Sequence, residues 1–407
     1  MTTRALAWVA PMTSEAAALG RTILFAHLIG PEELGRSILL GLSLRLVEMV
    51  SDVGVERLLA QAPDGDEPKL QAQLQGALIL RGAAMATVLS LLAYPMALAF
   101  PDGPDPLTYV VLAVTPLTRG FLHLDYRRAE RVFDYRGLAI VEIIGAAGLL
   151  LGALAGALIL REHEALIVAV TAQSFAQVVI SHVVAQRSYR VAFKIKGFTR
   201  LVRFGGPLVL NAILMFATMQ IDRAIVAYSY GWAQLAIYGV TFQLAYLPAQ
   251  IVGRAGSSLM APRFRIALAE GRLDVEARRS LAPHVAIALL FSLGFAVGAP
   301  PAIGLVFGGD MTPSLALAAT MGLAAGLRIA RTPFSQLAVS MGRTGDTARA
   351  NLWRAAALVP TLAAAALGAP LYALAAAAAM GELLAAVAGW RLYAGADCAI
   401  TYKGANT

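Results

Sequence analysis

Residues 20–61 read GRTILFAHLIGPEELGRSILLGLSLRLVEMVSDVGVERLLAQ. One apolar run stops at the turn pair Gly30-Pro31, and a second begins within a few residues. A helix needs ~20 apolar residues to cross ~30 Å of hydrocarbon. The same alternation fills the chain, with apolar stretches at 5–29, 36–60, 74–99, 106–123, 137–160, 164–186, 203–228, 236–260, 280–306, 312–336, 350–369 and 371–394. Turn residues separate them: Pro101-Asp102-Gly103-Pro104, Gly308-Gly309 and Gly368-Ala369-Pro370. The spacing predicts an all-α integral membrane protein with about 12 transmembrane helices.

Composition agrees. The 407 residues are 58% hydrophobic and 14% charged, against about 25% charged in a soluble domain. Twelve spans consume roughly 240–290 residues, so no separate soluble domain is expected. The net charge of +8 does not predict a nucleic-acid partner, because the bases are dispersed over the gaps. The gaps after spans 2, 4, 6, 8 and 10, with Arg57 and Arg203 counted at their edges, hold 2, 4, 6, 5 and 2 Lys/Arg. The gaps after odd spans hold only Arg36 and Arg161. Nineteen against two places both termini in the cytoplasm by the positive-inside rule. The first stretch holds Glu15 and Arg21 and reads as a retained helix.

A lone Cys398 excludes an intramolecular disulfide, and the five histidines lack ligand-like spacing, so no metal site is expected. The sequence GRTGDT (342–347) lacks the strand and Lys-Ser/Thr of a phosphate loop. Without an acid pair or a sizeable outer loop, catalysis is not expected.

The richest basic gap, Arg187 to Arg203, has six bases and no acid. It divides the chain into an N-terminal six-helix lobe (1–190), a basic cytoplasmic linker (191–202) and a C-terminal six-helix lobe (203–407). Contact with anionic lipid is a second reading of that linker. The halves resemble each other. GRTILFAHLIGPEELGRS (20–37) aligns with IDRAIVAYSYGWAQLAIY (221–238) at an offset of 201. Gly30 meets Gly231, Leu34 meets Leu235, and Arg21 meets Asp222. An even number of spans per half gives both the same orientation, related by a pseudo-twofold axis along the membrane normal.

Particular motifs resemble bacterial polysaccharide and oligosaccharide flippases, of the superfamily that also holds multidrug exporters and the peptidoglycan-precursor flippase. These are the Ile29–Gly35 turn, Asp52-Val53-Gly54-Val55, Phe204-Gly205-Gly206-Pro207-Leu208, Asp222, Tyr238, the Pro248 region, Val306-Phe307-Gly308, and Gly342–Asp346 with Asn351. The resemblance covers roughly residues 10–390. It implies an inner-membrane transporter that flips a lipid-linked oligosaccharide, on a polyprenyl phosphate or pyrophosphate, to the outer leaflet. Surface polysaccharide such as lipopolysaccharide or exopolysaccharide would be the product. Membrane lipids, a polysaccharide polymerase and chain-length machinery are the partners it implies. A cation-coupled multidrug exporter is the alternative, and a membrane polymerase or glycosyltransferase a lesser one. The acidic stretch PDGDEP (63–68) is not part of the resemblance.

A charge inside a span needs a partner or a cavity, since a central Arg or Asp costs ~2.5–3.5 kcal/mol. Arg81, Arg119, Glu142, Arg331 and Arg354 lie near inner ends, where snorkelling to headgroups is expected. Arg21, Arg45, Glu48, Asp222, Arg223, Arg254 and Glu382 lie deeper, with Arg328 intermediate. Arg45, Glu48 and Asp52 would form one stripe on a helix. In one reading Arg21, Arg45, Arg223, Arg254 and Arg328 form a cationic cavity for phosphate, which guanidinium binds in bidentate fashion. Glu48, Asp222 and Glu382 would then pair structurally or carry a coupling ion, H+ or Na+. In the other reading Arg45–Glu48 and Arg21–Asp222 are structural pairs. No further cofactor is expected.

Overall fold

The computed structural model describes residues 3–100, 102–193 and 195–404, and the side chains of most of them. Their regular elements are all helices, without strands among the described residues. The chain divides into two compact units, Met1–Gln220 and Ile221–Thr407.

In the first unit, α1 (Thr3–Leu28) and α2 (Gly30–Val50) meet at Gly30, and a short α3 (Val55–Gln61) follows. Then come α4 (Pro68–Ala99), α5 (Pro106–Leu112), α6 (Val114–Arg119), α7 (Asp125–Arg128), α8 (Arg136–Ile159) and α9 (Ala165–Val183). The long α10 (Ile195–Tyr230) carries the division between units. The second unit continues with α11 (Trp232–Ala269), α12 (Leu273–Phe307), α13 (Leu315–Ala330), α14 (Thr332–Ser340), α15 (Thr344–Ala355), α16 (Leu358–Ala366) and α17 (Leu371–Gly404).

Every expected span is helical, but four are broken. Spans 2, 4, 10 and 11 become α2–α3, α5–α6, α13–α14 and α15–α16. The causes are local. Asp52 accepts the N–H of Gly54 at 3.1 Å, and Gly54 turns at φ +73°, so the chain leaves the helix there. Pro116, Pro333 and Pro360 stand in the first turns of α6, α14 and α16, where a missing N–H costs nothing, whereas mid-helix it would break a bond. Asp52 therefore serves a turn and is not part of a helix stripe. Residues 195–202, within the segment read as a linker, are the opening turns of α10. The side chains of Phe204, Gly205, Pro207, Leu208 and Cys398 lie outside the described residues.

The aligned turns of the two halves share their geometry. Gly30 (φ +83°) and Gly231 (φ +87°) both occupy the left-handed side that favours glycine. The aligned pair thus carries the same backbone constraint at the same place in each unit.

Among the described residues, six helices are each long and apolar enough to cross a membrane. Their outer faces carry large exposed apolar residues, such as Leu290 at 75% and Leu305 at 84% exposure on α12. Hydrocarbon, not water, is the solvent that suits such a surface. Helix contacts use small residues, as expected where lipid supplies no hydrophobic drive. On α8, Gly148, Gly152 and Gly156 recur every fourth residue against α9. A Cβ on Gly152 would lie 2.7 Å from Ala172 Cβ and 2.9 Å from Val168 O. Gly152→Leu will force the pair apart and cost about 1–3 kcal/mol by overpacking, read as a lower melting temperature in detergent.

The acidic stretch 63–68 acquires a structural role. Asp66 Oδ1 accepts from Arg128 at 2.9 Å and Arg187 at 3.1 Å, and Arg187 also reaches Asp66 O at 2.8 Å. Asp125 takes the Gln186 N–H at 2.8 Å, and the Ala192 N–H reaches Ala72 O at 2.9 Å. Three basic-side loops of the first unit are thereby laced together. The hydrogen bond from Arg128 above all, against a small desolvation penalty, holds the Asp66 carboxyl below its ordinary 3.8. A depressed carboxyl contributes above its unfolded value and loses that contribution as pH falls through the folded one. The lacing therefore persists at neutral pH and is lost only in acid, as pH falls below the ordinary carboxylate value and through the depressed folded one. Asp66→Asn will remove the charge that Arg128 and Arg187 share, leave Arg187 on the Asp66 backbone carbonyl, and speed tryptic cleavage at Arg187.

Candidate functional site: two charge clusters within the helices

In the second unit one carboxylate gathers three arginines. Glu382 on α17 is 1% exposed. Its Oε1 lies 3.3 Å from Arg328 Nη1 and 3.4 Å from Arg354 Nη1, and its Oε2 lies 3.0 Å from Arg331 Nε. Local structure explains the convergence. Arg328 sits in the last turn of α13, Arg331 at the α13–α14 break, and Arg354 in the last turn of α15. Helix C-termini carry partial negative charge and favour cations, so the two breaks deliver arginines to one point. Arg331 also donates to Asn351 Oδ1 at 3.1 Å.

A stripe on α11 extends the cluster. Tyr238, Phe242 and Tyr246 recur every fourth residue on one face. Arg328 lies 5.7 Å over the Tyr246 ring, Tyr246 stacks on Phe242 at 4.1 Å, and Arg223 lies 3.9 Å over Phe242. Such contacts hold guanidinium planes in place. The buried Tyr238 hydroxyl donates to Asp222 Oδ2 at 2.8 Å. Asp222 has no ion pair within the described residues.

In the first unit Glu48 is the hub. Its Oε1 pairs with Arg119 Nη1 of α6 at 2.5 Å. Arg81 of α4 donates to Glu48 O at 2.9 Å and to Ser51 Oγ at 3.1 Å. Glu142 on α8 accepts from Ser14 of α1 at 2.7 Å and Gln177 of α9 at 3.4 Å. Arg21 is half-buried and Arg45 exposed. Neither makes an ion pair with a described residue. The Arg45–Glu48 pair offered by the sequence is not formed, because Glu48 turns to Arg119. Arg254 is exposed on α11.

The structure thus joins Arg328 to Glu382 and Arg223 to the aromatic stripe. It does not bring Arg254 to either. Arg119, Arg331 and Arg354, expected to snorkel, are instead ion partners of the two acids, and Arg81 bonds the Glu48 backbone carbonyl and Ser51. Their signal in the sequence was weak. Proximity to a span end gives depth, but not the direction in which a side chain leaves its helix.

The model of a family described as "Polysaccharide biosynthesis protein" matches residues 24–316. The chain belongs to that family. Among solved structures, this polysaccharide biosynthesis protein is similar to an inward-facing multidrug resistance MATE family transporter of the MOP superfamily. That match has TM-score 0.74 and 14% identity and covers 96% of each chain. It is similar also to the lipid II flippase MurJ in an inward closed conformation, with TM-score 0.68, 12% identity, and 94% of this chain and 86% of that one covered. A Vibrio cholerae MATE transporter, VcmN, gives TM-score 0.64 at 16% identity over 97% and 96% of the chains. No curated protein matches the chain. At these identities the likeness is one of fold. The protein is an all-α, multi-pass membrane protein, and its fold is the two-lobed, twelve-helix one of these solved structures.

Proposed function

We propose that this protein moves a lipid-linked oligosaccharide, carried on a polyprenyl phosphate or pyrophosphate, from the inner to the outer leaflet of the inner membrane. Its termini lie in the cytoplasm, and it works by alternating access within surface-polysaccharide biosynthesis. The observation that carries this reading is the convergence, among the described residues, of three guanidiniums on the one carboxylate of Glu382. Clustered guanidiniums suit a phosphate headgroup, which they bind in bidentate geometry. Arg328, the most exposed of the three, receives the phosphate. Arg21 and Arg45 of the first unit, and Arg223 and Arg254 of the second, are the further candidates for contact with it. Of the three candidate coupling acids, Glu48 and Glu382 are neutralised by arginine. Asp222, held by a tyrosine hydroxyl, is the one left to carry a coupling cation. A cationic-drug exporter needs the opposite balance in its cavity.

Deletion of the gene tests the reading. Loss of surface polymer, restored by the wild-type gene, supports it. Unchanged polymer with altered drug susceptibility overturns it in favour of the exporter.

A further inference from the structure

The carboxylate shared by the arginine cluster is Glu382, and its contacts differ in kind. Tight charge-assisted bonds run at about 2.7–2.9 Å. The two terminal contacts, to Arg328 and Arg354, are 3.3 and 3.4 Å. The carboxylate is therefore shared loosely among three guanidiniums, where a bidentate clamp on one would be tighter. Exposure is graded across the cluster: 23% for the Arg328 side chain, 11% for Arg331, 6% for Arg354 and 2% for Glu382. An entering anion meets Arg328 and Arg331 first, while Glu382 retains Arg354 behind them. Arg331 also lines a small open recess with Ser335, Asp346 and Tyr393. Neither leading arginine depends on Glu382 alone for its position. Tyr246 lies under Arg328, and Asn351 accepts from Arg331. The constellation can outlast withdrawal of the carboxylate from either.

We propose that Glu382 is a resident counter-anion: it positions Arg328, Arg331 and Arg354 in the empty protein, and the cargo's phosphate displaces it from the first two. Return of the carboxylate then competes the phosphate off and completes release. The proposal rests on the reading that the cluster receives the cargo's phosphate. It assigns Glu382 a positioning and release role that a merely structural ion pair does not have. Binding and turnover then move in opposite directions when its charge is removed.

The test uses the full-length protein in lipid nanodiscs, with inorganic pyrophosphate as probe. Glu382→Gln keeps the shape and removes the competitor. It will bind pyrophosphate about tenfold tighter than wild type, a shift of about 1.4 kcal/mol, while cargo translocation slows. Pyrophosphate will also raise its melting temperature more than that of wild type. Glu382→Asp keeps the charge but withdraws it. It will fall between the two in affinity, and it carries the test if the glutamine variant fails to fold. Binding by wild type with no tightening in the variants overturns the proposal and leaves the phosphate reading intact. Binding by neither wild type nor variants overturns both.

Discussion

Glu382→Ala will lower the stability of the protein by about 3–5 kcal/mol, the cost of removing one partner from a buried ion cluster. The carboxylate is 1% exposed and lies 3.0–3.4 Å from three guanidiniums. Without it, like charges face one another in a region of low dielectric, where their repulsion is least screened. Thermal unfolding in detergent reads the change, and an unaltered melting temperature would contradict this placement of the charges. Apolar replacement of the whole cluster separates stability from function. Arg328→Met, Arg331→Met, Arg354→Leu and Glu382→Leu together will recover most of the loss, since well-packed apolar groups replace buried ions at little cost. The recovered protein will not restore surface polymer.

Arg328→Ala combined with Arg331→Ala has the opposite signature. Arg354 remains on Glu382, so the cluster stays compensated and the fold holds. What is lost is phosphate binding. A hydrogen bond to a charged group contributes about 1.5–3 kcal/mol, so losing two costs at least about 3 kcal/mol, or roughly a hundredfold in affinity. Complementation of a deletion strain at matched expression will show polymer production falling to near the deletion level. Full rescue by the double variant would return these two arginines to a structural role. The two experiments together distinguish an ion cluster kept for folding from one kept for cargo.

The fold was legible because the bilayer imposes a length on every element. Residue runs near ~20 apolar positions and the base-rich alternate gaps outline the spans without reference to packing. The repeat was legible at one point, Gly30 with Gly231, because a positive φ is a constraint that sequence records as glycine. The helix breaks were readable in principle from Pro333, Pro360 and Asp52-Val53-Gly54, and the apolar runs concealed them. The charge partners were not readable. Glu48 and Arg119 lie 71 residues apart, and Arg328 and Glu382 lie 54 apart. Helical periodicity gives the depth and face of each side chain but not which neighbouring helix that face meets. Arg354 illustrates the difference. Its depth suggested a headgroup anchor, yet at 6% exposure it is buried against Glu382. The close approach of α8 and α9 through Gly148, Gly152 and Gly156 belongs to the same class. Its pattern was in the sequence, and its partner face became evident only in the packed pair.

Translocation itself can be measured in liposomes that contain only the purified protein and a polyprenyl-pyrophosphate oligosaccharide confined to the inner leaflet, with a glycosidase outside to read each headgroup as it emerges. Wild type will expose the sugar, and the Arg328→Ala, Arg331→Ala protein will leave it protected. If wild type leaves the sugar protected while the same vesicles move a cationic drug, the protein is an exporter, and the cationic cluster does not serve a lipid-linked cargo.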